Sequence, residues 1–137
     1  MPRLRSLLRF PMLLRHALLG DALASGATGL LLVLGAAPLA ALFGFPESLL
    51  RTAGASLLPF AALVAWTGSS ASPPRRAAWA IVALNTLWAG ESFGLLWIGG
   101  YSPTALGTAF VVAQALVVAS FAELQWFGLR AARSAFA

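Results

Sequence analysis

The sequence predicts an all-α integral membrane protein, with four transmembrane helices in an antiparallel bundle. Three observations predict it. The chain is 60% apolar and only 9% charged, whereas about a quarter of the residues of a soluble domain are charged. A fold of 137 residues has too little interior to hide that surface from water, so the excess must face lipid. Long apolar stretches are cut by Pro, Gly and Arg into segments of about 20 residues, which at about 1.5 Å per residue cover a hydrocarbon core of about 30 Å. Finally, the arginines alternate in space: four precede the first stretch, two (Arg75, Arg76) divide the chain, and two (Arg130, Arg133) follow the last.

One domain is the natural count for this length. Residues 1–17 form a basic segment in which Arg5 and Arg9 share one helical face and Leu4, Leu7 and Leu8 another, up to Pro11. Such a segment suits the headgroup region, with its arginines on anionic lipid phosphates; a frayed basic tail that only sets orientation is the alternative. Ala22-Leu-Ala24 matches a signal-peptidase pattern, but Arg15, His16 and Asp21 interrupt the apolar core that a signal peptide needs.

The first span is expected over residues 18–37, ended by Pro38, because a proline disfavours helical geometry in the residue before it. Leu39 to Phe45 is too short to cross and reads as a half-buried connector. Pro46 then opens the second span, 47–67, with Glu47 at the positive end of the helix dipole and Pro59 inside as a kink. The polar linker Gly68-Ser-Ser-Ala-Ser-Pro-Pro-Arg-Arg76 divides the halves. The third and fourth spans follow over 77–100 and 104–129. With four spans, eight arginines lie on one side and Arg51 alone on the other, so both termini are expected in the cytoplasm of a bacterial inner membrane.

The halves share a phrase. Gly29-Leu-Leu-Leu-Val-Leu-Gly-Ala-Ala-Pro38 returns as Gly94-Leu-Leu-Trp-Ile-Gly-Gly-Tyr-Ser-Pro103. Two tandem two-helix repeats would be parallel, related by an axis along the membrane normal. A chance match within a small apolar alphabet explains the likeness equally well.

The residues exclude several chemistries. No cysteine is present, so no disulfide or thiolate metal site forms. The one histidine, His16, sits beside Arg15 at the inner surface and reads as a headgroup contact. No metal or cofactor is expected, no catalytic constellation stands out, and the scattered arginines do not make a nucleic-acid surface.

Charges inside spans are costly and mark candidate sites. Asp21 and Glu123 are expected near the cytoplasmic rim, in ion pairs with Arg15, Arg75, Arg76 or Arg130. Arg51 and Glu91 lie deeper from the outer side, and a long Arg51 side chain could neutralise Glu91. That pair is the candidate substrate or proton site, with a purely structural pairing as the competing reading. Asn85 and Gln114 read as interhelical glue. Trp66, Trp79, Trp97, Trp126 and Tyr101 read as interfacial belts, and Trp88 as packing. Gly90 and Gly94 form a GxxxG on the third span.

The first span with Pro38, then Leu42-Phe-Gly-Phe-Pro46, then Leu49-Leu-Arg-Thr-Ala-Gly54, resembles small four-helix bacterial membrane proteins of uncharacterised and DoxX-like groups. In these a Gly-rich first span ending in Pro precedes an Arg-x-x-Gly second span. The likeness covers about residues 20–60 and implies the fold. A quinone- or lipid-binding redox subunit is suggested by that form alone. Two further functions are expected from the residues: a non-enzymatic accessory or scaffold subunit packing through small-residue faces, in a homo-oligomer or larger complex, or a small proton-coupled transporter using Glu91 and Arg51.

Overall fold

A computed structural model describes the backbone of residues 2–136 and the side chains of residues 12–131. The chain is 88% helical with no strand among the described residues. Its helices are α1 (Pro2–Leu34), α2 (Ala36–Phe43), α3 (Glu47–Ser69), α4 (Arg75–Ile98) and α5 (Ala105–Phe136). Four stretches are long and apolar enough to cross a membrane: Met12–Leu34, Glu47–Ser69, Arg75–Ile98 and Ala105–Ala131. No more than a third of each is buried (33, 28, 28 and 22% of the most apolar window), so most of every span faces outward. Leu23, Leu34, Trp97, Ile98 and Phe127 are all exposed there, a surface that hydrocarbon accepts and water does not.

The buried positions repeat every three or four residues, as one stripe per helix should. On α1 they are Leu14, Leu18, Asp21, Ser25, Gly29 and Leu32, continued by Ala36 of α2; on α3, Leu50, Gly54, Leu57, Ala61 and Val64. Helices α1 and α3 lie antiparallel and close. A Cβ added to Gly54 would stand 2.7 Å from the Gly29 carbonyl oxygen and 2.9 Å from Leu32 Cβ. Small residues at this crossing let the backbones approach until dispersion contacts hold them, which is how helices associate without a hydrophobic drive. Helix α5 packs against both α1 and α4. Gly20 meets the Phe121 ring and Gly128 meets Leu14 across the α1–α5 crossing.

The expected first boundary is displaced. The helix is interrupted at Gly35, and Pro38 lies inside the first turn of α2, where a missing N–H costs little because first-turn N–H groups have no acceptor within their own helix. The expected connector is thus a helix. Gly44, at φ 75°, caps it by donating its N–H to the Ala40 carbonyl at 3.0 Å. Buried Phe43 and Phe45 anchor it in the outer half of the core. The second copy of the shared phrase ends differently: α4 stops at Ile98, Gly100 takes φ 71°, and residues 101–104 are non-helical. Thr104 then ties the two ends together. Its N–H donates to the Phe43 carbonyl at 3.0 Å and its hydroxyl to the Leu42 carbonyl at 2.6 Å, while its Oγ1 accepts the Gly107 N–H at 3.0 Å as the N-cap of α5. Gly107 comes so close to Phe43 that no side chain fits.

At the N-terminus, α1 continues unbroken through Pro11, correcting the expected boundary there. Leu14 and Ala17 are already buried, and among the described residues the first apolar stretch long enough to cross a membrane is Met12–Leu34. The expected placement of Arg3, Arg5 and Arg9 against lipid falls outside the described side chains.

Candidate functional site

The four spans form an incomplete ring. Helix α3 packs on α1, α1 on α5, and α5 on α4, but α3 and α4, although joined by a short linker, barely meet. Between them an outward-opening cleft runs along the bundle, with two cavities of about 250 and 510 Å³. Trp88 and Glu91 line both. The outer cavity is walled by Phe45, Leu49, Leu95 and Phe110, the inner one by Leu57, Pro59, Phe60, Leu63 and Leu84.

Behind the cleft the bundle holds two polar knots. In the first, Asp21 is fully buried. The Ser25 hydroxyl donates to its Oδ1 at 2.9 Å, and the Asn85 and Gln125 amides donate to its Oδ2 at 2.7 and 2.8 Å. Asn85 Nδ2 also donates to Gln125 Oε1 at 3.1 Å. The three bonds to Asp21 all use it as an acceptor, the role a carboxylate fills. The expected rim pairing of Asp21 is therefore replaced by an amide cage joining α1, α4 and α5. The reason is depth: with α1 helical from the start, Asp21 points into the core, away from the exposed Arg15 and His16.

The second knot joins α4 and α5 further out. The Trp88 Nε1–H donates to Gln114 Oε1 at 2.9 Å, and Gln114 Nε2 donates to Ser92 Oγ and to the Val111 carbonyl, each at 2.9 Å. Asn85 and Gln114 thus bond across helices, as expected of glue. A cavity of about 140 Å³ lies between the knots, lined by Asp21, Thr28, Trp88, Gln114 and Phe121 among others. No buried side-chain nitrogen or oxygen is left without a partner among the described residues.

The structure does not bring Arg51 to Glu91. Arg51 pairs with Glu47, one turn earlier on α3 and at the outer end, with the two side chains 55% and 44% exposed. A partner at i−4 on its own helix is nearer than any residue across the cleft, and both ends of that pair keep solvent. Glu91 is exposed in the cleft and makes no hydrogen bond or ion pair with any described residue. Glu123 is exposed on α5, and Arg130 stacks its guanidinium 4.8 Å from the Trp126 ring centre. Trp66, Trp79, Trp97 and Tyr101 are exposed near helix ends. A Cβ on Gly90 or Gly94 would meet nothing within 4 Å, so this GxxxG joins no pair of helices among the described residues.

Gln125, a member of the Asp21 cage, is a buried polar residue that sequence reasoning overlooked. Its signal was present: Gln114 and Gln125 are three helical turns apart on one face of α5. Among the described residues no group of three or more His, Cys, Asp or Glu side chains could hold a metal ion. Comparison of the chain with family models, curated proteins and solved structures found no match.

Proposed function

We propose that this chain is a multi-pass protein of the bacterial inner membrane, with both termini cytoplasmic, that takes up a small molecule from the bilayer into its α3/α4 cleft. It then acts as a small transporter or carrier. The observation that carries this reading is a cleft of two apolar cavities open to the outside of the bundle, with polar groups converging on it from Glu91, Ser92, Gln114 and Asn85. Cavities of several hundred Å³, mostly apolar with a few placed polar groups, are what small-molecule sites look like. The orientation rests on the arginine count, eight on one side to Arg51 on the other.

Of the pair first considered, Glu91 is kept in the site and Arg51 is not, because Arg51 is engaged by Glu47. The accessory-subunit reading has one observation in its favour: the unpartnered Gly90 and Gly94 offer a partner helix a close approach. Purification in lipid nanodiscs separates the two. Mass spectrometry of an organic extract should find one enriched small molecule per chain, absent from a Ser56→Trp variant that fills the inner cavity. A stable protein partner with no enriched small molecule would replace this reading with the accessory one.

A further inference from the structure

We infer that the occupant of the α3/α4 cleft is a lipophilic cation, an apolar body carrying one amine- or onium-type positive head, and that Glu91 is its counter-ion. This rests on the cleft's being a small-molecule site, as proposed above. Three observations lead to it.

The first is charge. Glu91 lies seven residues before the end of α4 at Ile98, about 10 Å inward at about 1.5 Å per residue. A charge at that depth in hydrocarbon is costly unless it is paired or faces a wet cavity. The protein spends its other polar groups elsewhere: Arg51 on Glu47, and the amides of Asn85 and Gln125 on Asp21. The counter-charge is therefore supplied by whatever enters. A neutral occupant leaves the charge uncompensated, and an anionic lipid headgroup is repelled.

The second is shape. Cavities of about 250 and 510 Å³ joined at Glu91 and Trp88 are of the size that small-molecule sites have. A molecule of small-ligand size fits, with its head at the junction that Glu91 and Trp88 share and its apolar groups extending into either cavity.

The third is the aromatic neighbour. Trp88 lines both cavities with Glu91, and its ring is held by the Nε1–H bond to Gln114. An indole beside a carboxylate, away from water, adds cation–π attraction to the ion pair.

The test compares tetraphenylphosphonium with its neutral analogue tetraphenylmethane, binding to the full chain in nanodiscs with protein-free discs subtracted. The cation should bind saturably, one per chain, and the neutral analogue at least tenfold more weakly. Glu91→Gln should weaken the cation at least tenfold. Ser56→Trp should abolish its binding, and Glu123→Gln should leave it unchanged, with circular dichroism confirming that each variant is helical. Equal binding of the neutral analogue, or binding untouched by Glu91→Gln, overturns the cation inference and leaves the cleft a small-molecule site. Failure of both compounds to bind the folded wild-type chain overturns the cleft reading as well.

Discussion

Replacing Asn85 with leucine is the most incisive test of what holds the bundle together. Asn85 is 2% exposed and its amide serves two acceptors, Asp21 Oδ2 at 2.7 Å and Gln125 Oε1 at 3.1 Å. Leucine has the same branching and the same number of side-chain heavy atoms, with two methyls in place of the amide oxygen and nitrogen, so the change removes all of these bonds. A hydrogen bond to a charged group contributes about 1.5–3 kcal/mol, and a buried acceptor left unpaired costs about 1–3 kcal/mol. Interhelical hydrogen bonds in bilayers average nearer about 0.6 kcal/mol, because side chains released within a membrane find other partners. Here the larger figure should win. Asp21 and Gln125 are fully buried, and losing Asn85 cannot let them reach headgroups without opening the α1–α4–α5 contact. We therefore expect Asn85→Leu to destabilise by about 2–4 kcal/mol, measured by reversible unfolding in mixed micelles. Gln125→Leu should behave alike, and the double variant should cost about 1 kcal/mol or more less than the sum, because both act through the same carboxylate. A cost of about 0.6 kcal/mol or less, with strict additivity, would refute the cage as a stability element.

Other outcomes follow from the same contacts. Gly54→Ala drives a Cβ to 2.7 Å from the Gly29 carbonyl oxygen, backbone that cannot yield unless α1 and α3 separate. It should cost about 1–3 kcal/mol, while Gly90→Ala, with nothing within 4 Å, should be neutral or stabilising by up to about 1 kcal/mol from helix propensity; unfolding midpoints of the pair decide it. Thr104→Ala removes both the N-cap of α5 and the bond to Leu42, for about 1–2 kcal/mol, and hydrogen exchange should rise first at the amides of Thr104 and Gly107. Arg51→Ala breaks an exposed pair only, and should change stability by no more than about 1 kcal/mol.

The helical class, the four spans and their pairing were legible because they follow from composition and from where Pro, Gly and Arg interrupt an apolar chain. What was misplaced depended on depth and rotation. Asp21 was set near the rim by counting inward from Arg15 and His16, as though charged residues marked the start of a span. Arginine and histidine at such positions can remain outside on an already helical segment, and both are exposed on α1 while Leu14 and Ala17 beside them are buried. Local preference alone makes Pro38 read as a stop. Gly35 starts a new helix just before it, and the first turn of a helix tolerates proline. The cleft was not legible at all. Spacing places Asn85, Trp88 and Ser92 on one face, but which face of α4 turns toward α5 is decided by packing.

The two copies of the shared phrase sit in different surroundings. Under its alignment Gly29 corresponds to Gly94, and Gly26 to Glu91. In α1 the glycines face α3: a Cβ on Gly26 would touch Ala61 at 3.7 Å, and Gly29 lies against Gly54. A glutamate in place of Gly26 would have to sit inside such a close-packed crossing, desolvated and without a cation, at a cost no dispersion contact offsets. Helix α4 therefore cannot use this face to bury itself as α1 does. It turns Asn85, Trp88 and Ser92 toward α5, where the two polar knots form, and leaves Glu91, Gly90 and Gly94 in the open. The face by which α1 grips α3 is thus, position for position, the face that α4 presents to the cleft, while α4 meets α5 through Asn85, Trp88 and Ser92.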